Sequence, residues 1–308
     1  MKYVFGPVPS RRLGNSLGVN NIPRKYCSYS CIYCQVGRTT NLTIDRRAFF
    51  DPNEVICEVV STVNEFRGRI DYITFVPDGE PTLDINLGNI IKGIKENVTH
   101  KVAVITNGSV IGSAYADLME ADLVSIKIDA AVEEIYRRIN RPHPRVTLSK
   151  VFEDLAKFNK IFSGTFITET MLVNGVNDGK QNLTKIAEIL TQISPRTAYL
   201  SLPVRPPAEP WVKPSSKVME WRDHFKDFGI KVSVLDYQEE GMFSIAGFED
   251  PLEGILKIMA VHPLKEDYAI EILTERKLNA NQIIDQLISK GKICRIEYNG
   301  KHYLTLVP

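Results

Sequence analysis

Arg24-Lys-Tyr-Cys27-Ser-Tyr-Ser-Cys31-Ile-Tyr33-Cys34 gathers three of the chain's five cysteines into eight residues. Thiolates separated by three and then two residues can wrap one corner of a cubane iron–sulfur cluster and leave its fourth iron without a protein ligand, open to chemistry. A closed structural zinc site wants four ligands, commonly as two pairs. Cys57 and Cys294 offer no second pair and the first histidine is His100, so the three-thiolate cluster is the stronger reading.

Downstream of this stretch the pattern alternates. Pro52 opens a helix with Val55, Ile56, Val59, Val60 and Val63 on its apolar face, and Pro at the first helical position suits that start. Tyr72–Val76 reads as a buried strand running into Asp78-Gly79-Glu80. Helix and strand then recur: 86–97 into 102–106, 113–119 into 122–129, 148–160 into 165–173, and 180–193 into 198–202. Upstream, the Gly- and Pro-rich segment from Phe5 to Asn20 leads into a short strand ending near Ile22, with the paired Arg11 and Arg12 as a candidate contact for a phosphate or carboxylate. Six strands alternating with helices predict a parallel sheet covered by helices, with the site at the strand carboxyl ends. A Pro-rich loop, Pro203–Trp211, is expected to shape the mouth, and a helix at 216–228 with a strand at 230–235 to finish the unit.

The polar residues that follow strands cluster where such a site belongs. Side chains alternate along a strand, so Ser125, Lys127 and Asp129 share an inward face, alone or as a buried Lys–Asp pair, and Glu169 faces inward on the next strand. Asn107 closes the third strand, Arg141 stands in the loop Asn140-Arg-Pro-His-Pro144, and Arg205 in the Pro-rich loop.

Residues 247–308 read differently. Helices at 252–261, 265–274 and 280–289 precede strands 292–298 and 301–306 joined at Asn299-Gly300, a strong hairpin signal. This predicts a small winged-helix-like module, with the boundary between residues 246 and 247. From Glu249 onward nine acidic residues face eight basic ones. Packing or partner docking is therefore preferred to nucleic-acid contact, despite the basic wing of Lys290, Lys292, Arg295 and Lys301. Cys294 reads as a small core residue.

The cysteine spacing, with aromatic Tyr33 before the last cysteine and the alternating run behind it, resembles the radical S-adenosylmethionine superfamily. The resemblance implies a partial (β/α)6 TIM-type barrel and a [4Fe–4S] cluster on Cys27, Cys31 and Cys34, the loop being residues 24–37. It also implies S-adenosylmethionine on the open iron, reductively cleaved to a radical that abstracts hydrogen from a substrate. Asp78-Gly79-Glu80 resembles the superfamily's Gly-Gly-Glu motif, with aspartate in place of the first glycine. The comparison further implies cofactor roles for Tyr33, Asn107, Ser125, Lys127, Asp129 and Arg141, and weaker substrate roles for Glu169 and Arg205. More closely, the opening Gly-Pro-Val-Pro-Ser-Arg-Arg-Leu-Gly, the Gln35 extension and Asp-Gly-Glu-Pro-Thr resemble the proteins grouped with wyosine tRNA base synthases, over roughly residues 3 to 210. The extra cysteines that archaeal wyosine synthases carry for a second cluster have no counterpart here.

The resulting expectation is a radical enzyme acting on a macromolecule, by tRNA or protein modification, with a ferredoxin or flavodoxin as electron donor. A small-molecule mutase or lyase is the alternative within enzymes. An iron–sulfur regulator with a DNA-binding winged helix is the alternative outside them, but a regulator has no need of the Asp-Gly-Glu turn, inward Lys127 and Asp129, or a complete barrel. Near-balanced charge, 38 Lys and Arg against 37 Asp and Glu, excludes a whole-chain field for nucleic acid or membrane. With no signal-like or membrane-spanning apolar run, the expected location is the cytoplasm.

Overall fold

The computed structural model describes residues 2–237, 245 and 250–307; the boundary expected between 246 and 247 lies outside them. In chain order the elements are β1 (Val4–Ser10), β2 (Gly14–Val19), the two-residue strands β3 (Tyr26–Cys27) and β4 (Asn41–Leu42), α1 (Pro52–Glu65) and β5 (Tyr72–Phe75). Next come α2 (Leu87–Asn97), β6 (Lys101–Thr106), α3 (Tyr115–Met119), β7 (Leu123–Lys127), α4 (Glu133–Asn140), α5 (Leu148–Ile161) and β8 (Thr165–Met171). The barrel part closes with α6 (Lys180–Ile193), β9 (Thr197–Ser201), α7 (Val218–Asp227) and β10 (Val232–Leu235).

One eight-stranded sheet runs β1-β2-β5-β6-β7-β8-β9-β10 and curls into a half-barrel. From β2 to β10 every pairing is parallel, while β1 lies antiparallel on β2. The alternating core expected from the sequence is therefore present and two strands longer than six: β10 continues the same sheet and β1 adds an edge. Two prolines masked β1 in the sequence. They are tolerated because it is an outermost strand, and its register on β2 shifts between Phe5 and Val8.

Alternation along each strand divides the core. Leu17, Val19, Ile73, Phe75, Val102, Val104, Val124, Ile126, Ala198 and Leu200 turn outward into the large apolar cluster under the helices. The intervening positions face the hollow of the half-barrel. There Leu13, Ala103, Leu123 and Ile167 form a small apolar floor with Ile105 and Tyr199 against it, and Ser16 Oγ donates to Thr74 Oγ1 across 2.7 Å. Lys127 and Glu169 are register partners on this inner face.

The terminal elements are α8 (Pro251–Val261), β11 (Leu264–Lys265), α9 (Glu266–Glu275), α10 (Ala280–Ser289), β12 (Ile293–Tyr298) and β13 (Lys301–Leu306). Their helices and the sheet β11-β13-β12 surround a second apolar cluster. Asn299 and Gly300 both take left-handed φ (50° and 70°), as a tight hairpin turn requires. These elements lie against the barrel. Tyr298 Oη donates to Pro203 O (2.7 Å), Tyr303 Oη to Val204 O (3.0 Å) and Gln35 Nε2 to Val261 O (2.9 Å).

Candidate active site

The cysteine stretch crosses the carboxyl ends of the central strands, fixed mostly by backbone. Thr43 N donates to Cys27 O, Ser30 N to Asn140 O, Ile32 N to Ile139 O and His143 N to Ser28 O, at 2.8–3.0 Å. The pairing of β3 with β4 closes the loop's base. Gly79 is required there by contact rather than by torsion: a Cβ would stand 2.0 Å from Tyr26 O, and Glu80 N donates to that same oxygen at 3.0 Å. Any side chain at 79 would push the loop off the strand end.

Cys27, Cys31 and Cys34 are free and half-buried. Asn107 Nδ2 stands 3.6 Å from Cys27 Sγ and Asn140 Nδ2 3.5 Å from Cys31 Sγ, both as donors. Burial pushes all three thiols up, Cys31 to about 12, and neighbouring thiols and carboxylates add to it at Cys27 and Cys31. The thiols thus hold protons that a metal must displace. Among the described residues no group of three or more His, Cys, Asp and Glu converges on a single ion position. A cubane does not ask for one, because each thiolate takes a different iron. Three thiols on one loop, two of them facing amide donors, fit such a cluster.

Tyr33 Oη donates to Asp129 Oδ2, an oxygen that also accepts from Asn140 Nδ2 (2.7 Å), while Met171 N donates to Oδ1 (2.8 Å). Asp129 thereby ties the cysteine loop to β7 and β8. Glu80 is buried and accepts from Thr82 Oγ1, Thr82 N (3.1 Å), Thr106 Oγ1 (2.6 Å) and Asn107 N (2.8 Å); burial raises its pKa against those donors. Its charge therefore holds the turn beneath Asn107. Lys127 Nζ lies 3.1 Å from Glu169 Oε1 and 5.3 Å from the Tyr33 ring centre, and burial lowers its pKa to about 8. The half-buried lysine's ion-pair partner is Glu169, while Asp129 acts on it as a second, more distant charge. Ser125 is buried on the same inner face.

Three residues are held apart from this group. Asp78 lies 3.7 Å from Arg24 Nε and lines a cleft with Lys257 of α8; burial raises its carboxyl to about 6. Arg141, with left-handed φ of 45° at the end of α4, pairs with Glu209, which Arg38 also grips through two bonds of 2.9 Å. Arg205 Nη1 donates to Gln35 Oε1 at 2.6 Å. Sequence reasoning passed over Asn140, Glu209 and the pairing of Arg12 with Glu169. Asn140 stood beside Arg141 in the quoted loop, and Glu209 between prolines, which was the only signal either gave.

A half-barrel with a three-thiol loop across its strand carboxyl ends defines a class of proteins built to present a metal cluster to a cofactor and substrate. The radical SAM superfamily profile matches residues 21–185, more than half of the chain, and the chain belongs to that superfamily of enzymes. It is 40% identical over 309 residues to a UPF0026 protein of Methanocaldococcus jannaschii, covering 98% of this chain and 95% of that one. A UPF0026 protein of Synechocystis sp. is 32% identical over 222 residues, 71% of this chain and 80% of that one. Among solved structures, a radical SAM methyltransferase from Sphaerobacter thermophilus matches with a TM-score of 0.52 at 17% identity, over 71% of this chain and 66% of that one, a likeness of fold. Membership implies an iron–sulfur cluster and S-adenosylmethionine. No helix among the described residues is long and apolar enough to cross a membrane.

Proposed function

We propose that Cys27, Cys31 and Cys34 hold a [4Fe–4S] cluster, that S-adenosylmethionine binds at its open iron, and that the enzyme modifies a large substrate, RNA or protein. The observation that carries this is the half-buried thiol triad set across the strand ends, with Asn107 and Asn140 directed at two of its sulfurs. When bound, cluster and cofactor supply a 5′-deoxyadenosyl radical able to abstract hydrogen.

The chain's own residues supply position and dryness. Asp129 orients Tyr33, whose ring would pack on the adenine, and Glu80 fixes the strand end that would hold the methionine part. Arg141 is a reserve contact for the methionine carboxylate, tethered to Glu209. Tyr29 and Ile32 of the cysteine loop pack with Tyr136, Ile139 and Val146 into an apolar base that limits water on that side of the thiols. Cys57 is exposed on α1 and Cys294 sits in β12. Neither adds a second cluster, so a ferredoxin or flavodoxin supplies the electron. The terminal elements, in winged-helix-like order, stand beside the mouth and present the substrate.

The test is anaerobic. Protein reconstituted with iron and sulfide, then given S-adenosylmethionine and dithionite, is expected to yield 5′-deoxyadenosine by mass spectrometry, and Cys31→Ala to abolish it. An assembled cluster that binds the cofactor but never cleaves it, even with cell-derived RNA and protein added, would overturn the proposal.

A further inference from the structure

Asn140 is the last residue of α4, and the cysteine loop is stitched to that helix end on both sides of Cys31. Ser30 N donates to Asn140 O and Ile32 N to Ile139 O, each at 3.0 Å. The last carbonyls of a helix have no partners within it, so the loop completes α4 while α4 fixes the loop. Arg141 then leaves the helix with left-handed φ of 45°. Position 140 is thereby fixed relative to the sulfur of Cys31.

The side chain uses that fixity. Asn140 is 2% exposed. An amide nitrogen carries two hydrogens, and Nδ2 has two acceptors: Asp129 Oδ2 at 2.7 Å and Cys31 Sγ at 3.5 Å. A carboxylate only accepts, so Asp129 selects the amide's nitrogen rather than its oxygen. Met171 N at 2.8 Å and Tyr33 Oη hold Asp129 in turn. Asn107 is set more loosely. It is half-buried, and besides Cys27 Sγ at 3.6 Å its Nδ2 meets Ser28 Oγ at 2.9 Å, a hydroxyl that can rotate to donate or accept.

We infer that Asn140 is a positioning residue that sets the reduction potential of the cluster, raising it through the sulfur of Cys31. Reduction places part of an added electron's charge on the ligand sulfurs. A donor fixed toward one of them stabilises the reduced form more than the oxidised form, and most where water is excluded. The amide also occupies Asp129, whose negative charge already acts on Cys31 and opposes an incoming electron. The inference rests on the cluster reading of the proposed function and names the residue that governs how readily the external electron is accepted.

The experiment is a redox titration of the reconstituted protein without S-adenosylmethionine, followed by the paramagnetic resonance of the reduced cluster. Asn140→Leu keeps the volume and removes the donor. At a fixed potential its ratio of reduced to oxidised cluster should fall about tenfold, or about 59 mV for one electron. Asn107→Leu should shift the ratio in the same direction by less. Iron content and thermal melts are read alongside, because a merely structural residue would lower occupancy or melting temperature and leave the potential of the assembled clusters alone. Should Asn140→Leu take up no iron, Asn107→Leu protein carrying asparagine labelled with heavy nitrogen should still show nitrogen coupling to the reduced cluster. An unchanged or higher potential in Asn140→Leu, a larger shift in Asn107→Leu, or no such coupling would each overturn the inference. An unchanged potential with 5′-deoxyadenosine still formed leaves the proposed function standing. A lowered potential in the variant, with no cofactor cleavage by the unaltered protein, removes the proposed function and leaves the role of Asn140. An unaltered protein that takes up no cluster removes both.

Discussion

Glu80 and Glu169 are both buried carboxylates at the inner, loop-ward end of the barrel, yet their surroundings are opposite in kind. Glu80 is ringed by neutral donors, two hydroxyls and two backbone amides. Glu169 is gripped by a guanidinium and an ammonium with one hydroxyl. Neutral donors satisfy a carboxylate and stop there, so the Glu80 corner is a finished piece of architecture that seats the cysteine loop. Cations bring charge of their own, and Asp129 acts on Lys127 beside Glu169, so the Glu169 corner is a charged network that joins β8 to β7 and to the β1–β2 turn. In one hollow, the same side chain is held by neutral donors at one strand end and by charged ones on another strand.

The comparison breaks most visibly at Glu169. Glu169→Gln strands Arg12 and Lys127 and should destabilise the fold by about 3–5 kcal/mol in denaturant titration. Adding Lys127→Met should recover part of that loss, because one of the stranded cations is gone. A loss no larger than at Glu80 would mean that the two corners are alike after all. Glu80→Gln keeps an acceptor for its hydroxyl donors but turns an amide N–H toward an existing donor, and should cost about 1–3 kcal/mol by the same assay. With it the loop should seat less firmly, read as slower cluster incorporation in the anaerobic absorbance spectrum. The smallest effect sharpens the contrast from outside. Asp78 is raised by burial to about 6 in the fold, against an ordinary value of 3.8. Its stability contribution is fully present below about pH 4 and lost as pH rises through about 6. Asp78→Asn should flatten the stability profile over that window and gain about 1 kcal/mol at pH 8, measured by melts across pH.

Local patterns carried much of this. The cysteine spacing placed three thiols on one loop, and two-residue periodicity on β7 and β8 correctly turned Ser125, Lys127 and Glu169 inward. The Asn-Gly hairpin and the three terminal helices were likewise readable from local chemistry. Long-range partnership was not. Arg12 meets Glu169 across 157 residues, and that meeting depends on how far the sheet curls, which periodicity does not report. Asn140 reaches Cys31 only because α4 ends beside the cysteine loop, and β1 escaped notice because proline argues against strands everywhere except at an edge. The alternative of a Lys127–Asp129 ion pair gives way to Lys127–Glu169 for a related reason. Asp129 lies beyond the end of β7, where strand geometry no longer dictates direction, and Tyr33 and Asn140 claim it.

The tyrosine hydroxyls of Tyr298 and Tyr303 bond backbone carbonyls of the Pro-rich loop. Such neutral links are indifferent to ionic strength, whereas attraction of a charged ligand from solution toward a charged site fades as the screening length shortens. Added salt is therefore a selective solvent for this molecule: it quiets the approach of a charged ligand while leaving the wall of the mouth where it is. A conformational opening and a weakened electrostatic capture, which look the same in a simple activity assay, separate along that single axis.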